Sequence, residues 1–264
     1  MINPNTITQI SEAEGVSWAV VEKDYFLTLL LEGVAQTPLL KQTLVFKGGT
    51  ALRKIYLKNY RYSEDLDFTM RKALGREELR GALESAREYL EREHNAEFRI
   101  KNFNSKSYFT DVKVQFTGLK RTKNIIAFDL SPDEIIVEEP RERIVFNPYY
   151  EKEFSIPVYT LDEIVAEKMR SLLQRTRVRD YYDVWYLLTK KKKELDGKNI
   201  RKIFLKKTEY KKIRFTGKEQ LLDKDKLEQA GAYYEAQLGS QIKNLPSFGK
   251  ISEELESAIN ALHL

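Results

Sequence analysis

The sequence predicts an α/β fold in which helices cover a sheet, and three observations carry that expectation. Leu44-Val45-Phe46 is an apolar strand that runs into Gly48-Gly49, a short helix and a second strand holding Leu66, Asp67 and Phe68. Residues Arg76 to His94 place Leu79, Leu83, Ala86 and Leu90 on one helical face and Glu and Arg on the other, the pattern of a helix lying on a sheet. Phe109, Val112, Val114 and Phe116, followed by Ile125 to Leu130, read as two strands joined across the basic Lys120 to Lys123 turn.

Taken in order, Ser17 to Gly33 carries Val20, Val21, Tyr25, Phe26, Leu29 and Leu30 near helical spacing and is expected to be an amphipathic helix. Gly48-Gly49 then supplies the backbone freedom for a sharp turn whose exposed amides suit a phosphate. Thr50 is the expected N-cap of a helix reaching Tyr56. This is not a Walker A loop, because Lys47 precedes the glycines and Gly-Lys-Ser/Thr is missing. If Asp65 and Asp67 share a strand with Leu66 and Phe68, period-two geometry puts both carboxylates on one face and both apolar residues on the other. Two neighbouring carboxylates repel unless a cation neutralises them, and Mg²⁺ or Mn²⁺ favours such oxygen ligands. Ser63, close to the turn in sequence, is either a phosphate contact or an ordinary turn serine. Asp129, flanked by Phe128 and Leu130, is either a third acid on a neighbouring strand or a strand-end cap for the Ser131-Pro132 turn.

A second region opens near Ile156-Pro157-Val158-Tyr159, a short strand, after which Thr160 and Glu163 form a capping box. The helix that follows has Ile164, Val165, Met169, Leu172 and Leu173 as its apolar stripe, so Lys168 and Arg175 share roughly one face. Arg175, Arg177 and Arg179 then meet Asp180 and Asp183, ahead of a buried helix with Val184, Trp185, Leu187 and Leu188. Two readings of this knot stand open. It pins two helices through salt bridges, or Lys168 acts as a point charge on a triphosphate, with Arg175 or Arg179 making bidentate contacts and Asp180 or Asp183 orienting the cations.

A chain of 264 residues with 42% hydrophobic residues and no cysteine is expected to fold without disulfides or thiolate metal sites, which suits a reducing cytoplasm. His94 and His263 are the two histidines, not at ligand spacing, and both read as ordinary surface residues. No signal peptide or membrane span is evident, so a soluble protein is expected. The net charge is +5, but Lys190 to Lys218 holds thirteen Lys or Arg against Glu194, Asp196 and Glu209, which concentrates +10 there and leaves −5 elsewhere. With Phe204, Tyr210 and Phe215 interleaved, this segment is either a footprint for a polyanion such as RNA or a solvated helical surface.

Several of these stretches together resemble the AbiEii/AbiGii-type toxin nucleotidyltransferases of prokaryotic toxin-antitoxin and phage-defence systems. The resemblance runs from Glu22-Lys23-Asp24-Tyr25 through Phe46-Lys47-Gly48-Gly49-Thr50-Ala51-Leu52 and Arg61-Tyr62-Ser63-Glu64-Asp65-Leu66-Asp67 to Lys168-Met169 and Arg175 through Asp183. It implies a polymerase-beta-like nucleotidyltransferase core with a mixed sheet flanked by helices, residues 1–155, and a mostly helical C-terminal domain, residues 156–264. By motif it implies Gly48 and Gly49 as the glycine pair, Asp65 and Asp67 as metal ligands, Asp129 as third acid, Lys168 as the phosphate lysine, and Asp180 or Asp183 as the final acid. The implied reaction moves a nucleotide from an NTP, with Mg²⁺ or Mn²⁺, to an acceptor, tRNA being a known class, and a cognate antitoxin is the implied protein partner. Fifteen residues separate Gly49 from Asp65, more than most nucleotidyltransferases use, so a long helix or a loop is expected between them. Transfer to a protein or small molecule, and a non-catalytic RNA-binding module, are the alternative functions.

Overall fold

The computed structural model describes residues 1–106 and 109–262, and His263 lies outside them. They form two compact units, the first made of residues 1–136 and 140–159, the second of residues 137–139 and 160–264.

In the first unit, helices α1 (Pro4–Glu14), α2 (Trp18–Gln36) and α3 (Pro38–Thr43) lead to β1 (Leu44–Lys47). Ser17 caps α2 by accepting from the Val20 amide. A helical turn α4 (Gly48–Ala51) and a π-helical turn (Leu52–Tyr56) follow, then β2 (Leu66–Met70), α5 (Arg76–His94), β3 (Phe98–Lys106), β4 (Phe109–Thr117), β5 (Lys123–Ser131), β6 (Arg141–Ile144) and β7 (Ser155–Val158). The seven strands form one mixed sheet in the order β3-β4-β5-β2-β1-β7-β6. β1 runs antiparallel to β2 and parallel to β7, and β2 runs parallel to β5. The strand expected to open the second region therefore completes this sheet.

One face of the sheet is core. Phe46, Leu66, Phe68, Phe116, Ile126, Phe128 and Leu130 are buried there, and Phe26 of α2 stacks on Phe116 with ring centroids 4.1 Å apart. Burial at this density follows the alternation of the strands and supplies the main driving force for the unit. Two groups of charges are buried as well. Asp24, 1% exposed, faces Lys54 and Arg53 of the π-helical turn, with Arg53 Nε 3.6 Å away and the Tyr149 hydroxyl donating at 2.6 Å. Glu32, fully buried, accepts from Tyr89 and Tyr150 at 2.7 Å each, with His94 Nε2 and Lys152 Nζ both 2.9 Å away. His94 is thus a half-buried partner of an internal carboxylate and not an ordinary surface residue. Its position late in α5, facing α2, is not visible in the spacing of histidines.

Burial alone would raise Glu32, but these four partners outweigh it and hold the carboxyl down at about 2, below its usual 4.5. A depressed folded value means that the stabilisation is complete above about pH 4.5 and is lost as pH falls toward 2. Glu32→Gln is expected to cost about 2–3 kcal/mol at neutral pH and to flatten the acid limb of stability. Urea midpoints measured from about pH 6 to about pH 3 test this, and parallel curves for the two proteins would contradict it.

The second unit is helical: α6 (Leu161–Gln174), α7 (Val178–Lys190), α8 (Gly197–Tyr210), α9 (Lys224–Leu238) and α10 (Phe248–Asn260). The predicted capping box is half realised. Thr160 Oγ1 accepts from the Glu163 amide at 3.2 Å, but the Glu163 carboxylate accepts from the Val137 and Glu138 amides and pairs with Lys207 at 3.0 Å. Lys207 and Phe204 are fully buried, so neither belongs to a polyanion footprint. The exposed cations of α8 are Lys198, Arg201, Lys202 and Lys206. Among the described residues no helix is long and apolar enough to cross a membrane.

Candidate active site

β1 ends in Lys47, and the chain turns at once through Gly48, whose φ of +80° belongs to the left-handed region that glycine tolerates. A side chain there has no room: a Cβ would lie 2.2 Å from Asp67 Oδ2. At Gly49 a Cβ would lie 2.8 Å from Arg61 Nη2 and 3.1 Å from Ser63 Oγ. The glycine pair thus lets one strand end and a two-carboxylate segment close against each other. Thr50 is not the N-cap. The helical turn begins at Gly48, and Thr50 Oγ1 donates to the Asp65 carbonyl at 2.5 Å, tying the turn to the start of β2. The gap between Gly49 and Asp65 is filled by the remainder of α4, the π-helical turn and an extended stretch that carries Arg61 and Ser63.

Asp67 lies in β2, and Asp65 stands one residue before it. Strand register gives the place of Asp129 in the sheet. It lies within β5, paired with Asp67 on one side and with Asp111 of β4 on the other. Lys47 pairs with Asp67 from β1. Paired residues in a sheet share a face, so Lys47, Asp67, Asp129 and Asp111 form one row across four strands, opposite the phenylalanine core. Burial first, then the negative charges of Asp67, Asp65 and Asp111, push the Asp129 carboxyl up to about 6, against the pull of Lys113. Asp111 and Lys47 were not singled out as site residues. The signal for Asp111 was its phase: it alternates with Val112 as Asp129 does with Leu130.

An all-carboxylate set suits a hard divalent cation, and the crowding that raises Asp129 is what such a cation relieves. Among the described residues no three Asp, Glu or His side chains are gathered tightly enough to hold an ion between them as they stand. The chemistry of Asp65, Asp67 and Asp129, oxygen donors throughout, suits a metal of this kind.

In the second unit, Lys168 of α6 lies 2.6 Å from Asp183 Oδ2 and 3.4 Å from Asp180 Oδ1, both on α7. Arg175, at the end of α6, places Nε 2.9 Å from Asp180 Oδ2. All but Arg175 are buried. The pairing joins α6 to α7, as the salt-bridge reading requires, and it also fixes Lys168 in one orientation.

The glycine turn makes a local prediction. Gly48→Ala adds backbone strain of about 1–3 kcal/mol and drives Asp67 from its place. It is expected to lower the thermal midpoint and to cut nucleotide transfer more than about tenfold. Wild-type transfer rates in this variant would contradict the close approach.

The mixed sheet, with its glycine turn against Asp67, is consistent with a nucleotidyltransferase. The sequence matches, over residues 29–261, the family described as nucleotidyl transferase AbiEii toxin, type IV toxin-antitoxin system, and the chain belongs to that family. Among solved structures it is similar in fold to MenT4, the nucleotidyltransferase toxin Rv2826c from Mycobacterium tuberculosis H37Rv. That match has a TM-score of 0.71 and 17% identity, and it covers 100% of this chain and 90% of that one. A search of curated proteins found no match.

Proposed function

We propose that this nucleotidyltransferase toxin transfers a nucleotide from an NTP to the terminal 3′-hydroxyl of an RNA, tRNA being the first expectation. The observation that carries the reading is the row of Asp67 and Asp129 beside the glycine turn. Asp65 and Asp67, joined by Asp129, would hold Mg²⁺ or Mn²⁺, which when bound supplies charge neutralisation at the reacting phosphate. The amides of Gly48, Gly49 and Thr50, with Ser63, bind the phosphate chain. Asp129 takes the proton of the attacking hydroxyl as the O3′–Pα bond forms and the bond from Pα to pyrophosphate breaks. Within the second unit, Lys168, held in one orientation by Asp180 and Asp183, is read as the phosphate lysine, with Arg175 beside it as a second cation. Membership of a type IV toxin-antitoxin family supports a cognate antitoxin; a role in phage defence and work in the cytoplasm, where NTPs and RNA occur, belong to the same proposal.

The test is incubation with each α-labelled NTP, Mg²⁺ and deproteinised tRNA, total RNA, protein or small metabolites in separate reactions. Label on RNA resolved by denaturing gel is the expected result. Label on protein or metabolite alone would move the acceptor to another class. Absence of Mg²⁺-dependent NTP binding by calorimetry would reduce the chain to a binding module.

A further inference from the structure

We infer that the acceptor RNA lies on the open face of β3, β4 and β5, held there as a single strand by its phosphates; this rests on the reading of the acid row as the transferase site. In β4 and β5, Val112, Val114, Phe116, Ile126, Phe128 and Leu130 point into the core, so the residues between them point the other way. Register arranges that other face in rows. The first is Asn104, Asp111, Asp129 and Asp67; the second is Asn102, Lys113 and Ala127; the third is Arg99, Gln115 and Ile125; the fourth is Thr117 and Lys123. All the carboxylates of these rows stand in the first. Beyond it the face is neutral or cationic, with Lys113, which reaches back to Asp111 at 3.1 Å, then Arg99 and Lys123, one to each successive row.

The face is open to solvent along β3 and at the start of β5, and half-buried along β4. Arg99, Asn102, Asn104 and Lys123 are exposed, Ile125 is 44% exposed and the Lys113 side chain 37%. Glu97, at the far rim, is engaged by Arg121 at 3.4 Å. From Asp129 to Lys123 the strand covers about 20 Å, enough for several nucleotides. A polyanion whose last hydroxyl must reach Asp129 meets a track of cations leading to that acid, and this polarity is the complementarity on which the assignment stands. The described residues of these rows include no aromatic ring for base stacking, so the grip is on phosphates, tolerant of sequence and sensitive to salt.

The experiment uses the full chain with Arg99→Ala and Lys123→Ala combined, both exposed and distant from the core. A 5′-labelled single-stranded RNA of about twelve nucleotides is titrated by anisotropy at several salt concentrations without metal, and steady-state transfer is then measured with Mg²⁺. The expected result is an RNA affinity about tenfold weaker and a log–log salt slope smaller by about 1.4, with a higher KM for RNA and unchanged NTP affinity. A variant with Arg201→Ala, Lys202→Ala and Lys206→Ala on α8 is run beside it. Unchanged RNA affinity in the sheet variant overturns the inference, whether or not the α8 variant loses binding. If the wild type labels only protein or metabolites, the acceptor reading fails, and the direct RNA titration still decides the sheet face separately.

Discussion

Asp65→Asn and Asp67→Asn are each expected to abolish nucleotide transfer, by about a thousandfold or more, while leaving the fold and its thermal midpoint in place. Groups that merely support metal ligands typically cost 10–100-fold when removed, and a ligand itself costs more. Neither substitution removes packed apolar volume, since both side chains stand on the half-exposed face away from the core. Circular dichroism melting and incorporation of labelled nucleotide measure the two quantities independently. Full transferase activity in either variant would remove the acid row as the reaction centre.

The largest effect on stability is expected at Asp24. Asp24→Ala leaves Lys54, 0% exposed, and Arg53, 1% exposed, without their shared carboxylate, and an uncompensated buried charge costs about 3–5 kcal/mol. Burial alone would raise Asp24, yet Lys54 and Arg53 overcome it and hold the carboxyl below its usual 3.8. The stabilisation is therefore present above that value and disappears as pH falls through the lower folded one, so the gap between wild type and variant narrows on acidification. Chemical denaturation at neutral and acid pH gives both numbers. A loss under about 1 kcal/mol at neutral pH would mean that the cations find solvent or Glu14 instead. Asp24→Leu combined with Lys54→Met is expected to recover part of the loss, because an apolar pair needs no counter-charge.

Much of this was legible in the chain because single periods decide it. The amphipathic stripe of α5 and the apolar run of α2 are local, and so is the alternation around Asp67 and around Asp129. What resisted is what strand order decides. The neighbours of Asp129 depend on β5 lying beside β2, and Asp111 is hidden in the sequence because its partner in the sheet is eighteen residues on. β3 was hidden by its polar run and by the irregular register between Ile100 and Asn102. Thr50 looked like a cap because Ser and Thr usually are, but a helix that starts on glycine leaves its hydroxyl for the Asp65 carbonyl. In the lysine-rich segment, charge counting alone did not separate Lys207, folded inward onto Glu163 and Glu167, from the cations that α8 turns to solvent.

The parallel pairing of β2 with β5 has a further outcome for how such a protein comes into being. Two of the acids are synthesised early, but the strand that brings the third arrives after α5, β3 and β4 have been made and must slot in between. A nascent chain paused on the ribosome before residue 123 lacks β5, so the row that pairs Asp67 with Asp129 cannot form until that strand has been made.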